Sequence, residues 1–113
     1  MGFLTDIIIY MKLEFYPLEK LKNEILSIIG KYLDLKKYKV FFFGSRVKGG
    51  GDKRSDIDVG IEGPEEISIG IIAQIQEDIN DLQILYKIEI VDFKNIAPDF
   101  REVALQYTEL MVM

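Results

Sequence analysis

Residues 41–62 read FFFGSRVKGGGDKRSDIDVGIE. An apolar run from Val40 to Phe43 stops at Gly44-Ser45, a glycine-rich basic turn follows, and Ser55-Asp56-Ile57-Asp58 opens a second apolar segment. Strand side chains alternate with period two, so Asp56 and Asp58 on one strand point to the same face. A Gly-Ser turn after a strand offers backbone N–H groups and a hydroxyl, the equipment for holding a phosphate. A phosphate cradle beside paired carboxylates implies metal-assisted phosphoryl or nucleotidyl chemistry.

The rest of the composition narrows that chemistry. The chain has 113 residues, 49% of them apolar, which suits one domain with one core and leaves acceptor selection to a partner or a second copy. It contains neither cysteine nor histidine. Disulfides, thiolate metal sites and imidazole bases are therefore excluded, and any bound metal must take oxygen ligands: magnesium, manganese or calcium. The net charge of −5 argues against strong nucleic-acid binding. Yet Lys36, Lys37, Lys39, Arg46, Lys48, Lys53 and Arg54 gather around the turn with Asp52 the one acid among them, a local field suited to a nucleoside triphosphate. No apolar run approaches the ~20 residues of a membrane span. Phe3 to Met11 is short, carries Asp6 and lacks a basic leader, so a cytoplasmic protein is expected.

Hydrophobic periodicity orders the elements. Residues 1–16 form an apolar arm that must pack on the domain or a partner, ahead of a domain spanning 17–113. Pro17 followed by Leu18, Leu21, Ile25, Ile28, Ile29 and Tyr32 predicts a helix over 17–34. Lys39 to Phe43 reads as a strand buried on both faces, Ser45 to Lys48 as one helical turn, and Asp56 to Glu62 as a second strand ended by Gly63-Pro64. Ile67 to Leu82 has helical spacing with Glu65 and Glu66 near its start. Lys87 to Phe93 is a third strand with Ile88 and Ile90 on one face and Glu89 on the other. A last helix begins at Pro98 with Phe100, Val103, Ala104 and Tyr107 inward, and Leu110 to Met113 suggests a short final strand. The expected fold class is α/β or α+β: a small mixed sheet with helices packed on one face.

Gly44-Ser45, ten intervening residues and Asp56-Ile57-Asp58 together resemble the motif of the DNA polymerase β-type nucleotidyltransferase superfamily. FGSRVKG, SDIDVGI and the later KIEIVDF and PDFREV are similar to its minimal nucleotidyltransferases, the antitoxin-like members paired with HEPN partners. The resemblance implies a nucleotidyltransferase fold and transfer of AMP from ATP to a hydroxyl, a tyrosine of a HEPN-type toxin. It implies two Mg²⁺ ions, or Mn²⁺, on Asp56, Asp58 and a third carboxylate, with Gly44, Ser45, Arg46, Lys48, Arg54 and Ser55 toward the nucleotide. Glu89 and Asp92 both compete for the third position. The family's first acidic position matches Glu89, and strand parity also sets Glu89 opposite Ile88 and Ile90. Minimal members usually carry Asp there, so Glu89 lengthens the side chain by one methylene. Two alternatives differ in kind: a binding module that neutralises its partner by occlusion, and a small-molecule nucleotidyltransferase whose acceptor pocket a homodimer would complete.

Overall fold

The computed structural model describes residues 17–44, 56–104 and 108–111. The N-terminal arm, the turn over 45–55 and Tyr107 lie outside the described residues.

Helix α1 spans Leu18–Ile29, and Pro17 precedes it as an extended N-cap. Its apolar residues recur at three and four, so Leu21, Ile25, Leu26, Ile28 and Ile29 are buried along one side. The helix is shorter than the expected 17–34. After Gly30 the N–H groups of Lys31 and Tyr32 turn to the carbonyls of Ile28 and Ile29, three residues back, which tightens and ends the spiral. Asp34 then makes the turn into the sheet: its Oδ1 accepts the Lys36 N–H at 2.9 Å, and its carbonyl accepts those of Lys37 and Tyr38.

Strand β1, Lys39–Phe43, lies inside a four-stranded sheet whose order is β3 (Ile88–Asp92), β2 (Ile57–Glu62), β1 and β4 (Thr108–Leu110). It pairs antiparallel with β2 and with β4. The connection from β2 to β3 is a parallel crossover through helix α2, Ile69–Asn80. Period-two alternation divides the apolar residues between two faces. Val40, Phe42, Ile57, Val59, Ile61, Ile88 and Ile90 form the main core with α1 and α2. Each fully buried side chain there contributes about 1.5–3 kcal/mol of transfer free energy. Phe41, Phe43 and Phe93 form a second cluster across the sheet, so the expected two-sided burial of β1 holds.

Several boundaries differ from the periodicity. Helix α2 starts at Ile69 rather than Ile67, because Ser68 caps it by accepting the Ile71 N–H, and buried Ile67 donates its own N–H to Asp92 Oδ2 at 2.8 Å. Glu65 and Glu66 consequently precede the first turn, which contains no acid. Phe93 has left the strand: Asp92 caps a short 3₁₀ turn over Phe93–Asn95, accepting the Lys94 N–H at 3.0 Å. Strand β4 comes earlier than Leu110 to Met113, and the Met111 N–H still donates to the Val40 carbonyl at 2.8 Å.

Helix α3, Pro98–Ala104, reaches the face opposite α1 and α2. Phe100, expected inward, is half exposed and sets its ring 6.3 Å from Phe43, while Arg101 pairs with Glu62. The two major helices are tied where Tyr32 donates its hydroxyl to Asp78, with Lys31 Nζ 3.3 Å from the same carboxylate. Among the described residues no helix is long and apolar enough to cross a membrane.

Candidate active site

Core packing of Ile57, Val59 and Ile61 turns the even-numbered residues of β2 the other way, so Asp58 joins Gly60 and Glu62 on the second face. The antiparallel register sets Asp58 against Phe43, and the parallel register sets it against Glu89. Asp58 is thus flanked by an aromatic ring and a second carboxylate on adjacent strands. Asp56 stands exposed one residue before β2, with the same even parity as Asp58.

Phe41, Phe43 and Phe93 wall this site from below. Their rings meet edge to face, with Phe93 4.8 Å from Phe41 and 4.9 Å from Phe43. Gly60 makes room for them: a Cβ there would lie 2.6 Å from the Phe41 ring and 2.7 Å from that of Phe93. Gly44 ends β1 with φ of +92°, a conformation that glycine adopts without steric cost. A Cβ on Gly44 would collide with Asp58 Oδ2.

The electrostatics follow from this placement. Burial first, then the charges of Glu89 and of Asp56, push the Asp58 carboxyl above its ordinary value. Glu89 is exposed, with Lys87 Nζ 3.8 Å from its Oε1. Asp92, the other claimant, has its two oxygens engaged by the Ile67 and Lys94 N–H groups. Among the described residues no three acidic side chains converge closely enough to hold a single ion. The burial of Asp58 and its repulsion by Glu89 and Asp56 nevertheless fit a divalent cation, whose charge would offset both.

Ser45, Arg46, Lys48, Lys53, Arg54 and Ser55 lie outside the described residues. Two features of the site were not anticipated from the sequence. The aromatic wall joins residues fifty positions apart, and only the FFF run hinted at half of it. Gln76 of α2 bonds to β3 on both sides of Glu89, through Ile88 O at 2.7 Å and the Ile90 N–H at 3.0 Å. No local signal in α2 announces that contact.

Residues 37–112 match the family model described as Polymerase beta, Nucleotidyltransferase. The Haemophilus influenzae protein described as "Probable protein adenylyltransferase MntA" is 31% identical over 85 residues, covering 74% of this chain and 75% of its own length. Among solved structures, a chain of a toxin–antitoxin with AMP-PNP superposes with a TM-score of 0.66 at 14% identity, covering 80% of this chain and 72% of that one. A complex of the tri-AMPylated Shewanella oneidensis HEPN toxin with its MNT antitoxin gives 0.64 at 11% identity, covering 84% and 72%. These two likenesses show the shared fold. The family model and the Haemophilus relative together show that the chain belongs to the polymerase β-type nucleotidyltransferase family, among its minimal, MntA-like members.

Proposed function

We propose that this chain is a metal-dependent nucleotidyltransferase that moves AMP from ATP to a hydroxyl, a tyrosine of a HEPN-type helical partner, and thereby acts as the antitoxin of a pair. The observation that carries the reading is the register of Asp58 against Glu89, with Asp56 acting on the same carboxyl. Family membership and the description of the Haemophilus relative as an adenylyltransferase support it.

Asp56, Asp58 and Glu89 would hold two Mg²⁺ ions, or Mn²⁺, which would supply charge neutralisation for the triphosphate and polarisation of the attacking and leaving oxygens. Gly44 and Ser45 receive the phosphates, and Arg46, Lys48, Arg54 and Ser55 surround them. The acceptor oxygen forms a bond to the α-phosphorus, the bond from that phosphorus to the bridging oxygen breaks, and pyrophosphate leaves. Glu89, an exposed carboxylate of β3, takes the hydroxyl proton. The aromatic wall keeps the floor of the site dry beneath Asp58 and so strengthens its hold on cations.

The test is pyrophosphate release by the chain with its co-expressed partner, ATP and Mg²⁺. Release that stops with EDTA and with Asp58→Asn supports the reading, whereas release at the wild-type rate in Asp58→Asn refutes it. A second reading, neutralisation by occlusion, draws on the pairing of Glu89 with Lys87. It requires that the Asp56/Asp58 double variant still inhibit the partner fully without ATP.

A further inference from the structure

Among the described residues strand β3 lies at one edge of the sheet, and no further described strand bonds its outward peptide groups. Gln76 takes that place with a single side chain. Its Oε1 accepts the Ile90 N–H at 3.0 Å, and its Nε2 donates to the Ile88 carbonyl at 2.7 Å and to Asn80 Oδ1 at 3.0 Å. The two residues it grips are the neighbours of Glu89. On the inner edge, the ladder to β2 holds Glu89 against Asp58, with the Ile57 N–H donating to the Lys87 carbonyl at 2.8 Å.

The residue type is informative. Positions 72, 75, 76 and 79 form one stripe of α2 toward the sheet, and the other three are isoleucines. Packing alone would be served by a fourth apolar side chain. An amide there bonds two peptide groups that flank one carboxylate, and α2 itself is anchored beside β3 by the Ile67 N–H on Asp92.

We propose that Gln76 is a positioning residue of the carboxylate site: by clasping Ile88 and Ile90 it holds Glu89 in register with Asp58. The inference rests on the reading of Asp58 and Glu89 as metal ligands. Residues that orient metal ligands typically change metal affinity 10- to 100-fold when lost.

The test uses the full chain and Mn²⁺ alone as probe, with affinity read by electron paramagnetic resonance and the Ile90 amide followed by hydrogen exchange. Gln76→Met keeps the length of the side chain without its hydrogen bonds, and Gln76→Asn keeps the amide but falls short of the strand. Both variants are expected to exchange the Ile90 amide faster and to bind Mn²⁺ about tenfold more weakly. Faster exchange with an affinity within about twofold of wild type would show an edge cover only and overturn the positioning role. Asp58→Asn separates the two claims. Wild-type affinity in that variant overturns the metal-site reading and this inference with it, whereas weakened binding there beside full affinity in the Gln76 variants overturns the positioning role alone.

Discussion

Gly44 and Asp58 occupy each other's space: a Cβ on Gly44 would stand 2.7 Å from Asp58 Oδ2. The residue that follows β1 and the acid of β2 therefore lie side by side. The glycine of the Gly-Ser pair serves the carboxylate beside it as well as any phosphate above it. Its φ of +92° adds a second reason for the absence of a side chain.

Gly44→Ala therefore combines backbone strain of about 1 kcal/mol with displacement of Asp58. A lower urea midpoint and at least a roughly tenfold loss of AMP transfer are expected, the latter because a small misplacement of a reacting group is expensive. Urea unfolding and a label-transfer assay check the two parts separately.

Asp58 carries a pH signature in the metal-free protein. Its folded carboxyl holds a proton to higher pH than the unfolded one, so it favours the folded state below the ordinary value of 3.8, and that contribution is lost as pH rises through the raised folded value. Asp58→Asn should therefore stabilise the apo chain at about pH 7 relative to wild type, because the asparagine has no charge to bury. The gain should vanish at about pH 3, where both forms are uncharged. Urea midpoints in EDTA at the two pH values measure it.

The second face has its own stability signature. Phe93 is 2% exposed, and Phe93→Ala should cost about 3–5 kcal/mol by opening a cavity under Phe41 and Phe43. Gly60→Ala should cost about 1–3 kcal/mol by overpacking the same rings. Calorimetric melting distinguishes these from surface changes, which stay within about 0.5 kcal/mol.

At the joint between α1 and α2, hydrogen bonds from Tyr32 and Gln74 hold the Asp78 carboxyl below its ordinary value. Its contribution is present above the unfolded value and lost as pH falls through the folded one. Tyr32→Phe removes the leading cause, so its acid unfolding curve should be shallower than that of the wild type.

Alternation and helical spacing made most of the architecture legible. Asp58 facing away from Ile57 and Val59, and Glu89 away from Ile88 and Ile90, follow from strand parity alone. Element ends were less legible, because they are set by single long-range bonds. Ile67 looks helical by spacing, yet its N–H is claimed by Asp92, and Phe93 looks like strand until Asp92 caps the turn beneath it. Phe100 fits an inward helical stripe, but α3 lies on the face away from the main core, where the Phe43 ring meets its own. Gln76 was invisible for the same reason: its partners lie twelve and fourteen residues away on a strand whose edge position depends on the whole sheet.

The central claim is that Asp58, facing Glu89, serves transfer of an adenylyl group to a tyrosine of a helical partner. Intact-mass analysis of the co-purified partner after incubation with ATP and Mg²⁺ tests it most directly. The account predicts added adenylyl groups with wild-type protein and none with Asp58→Asn. A partner that is neutralised yet unmodified by wild-type protein, or fully modified by Asp58→Asn, would contradict it.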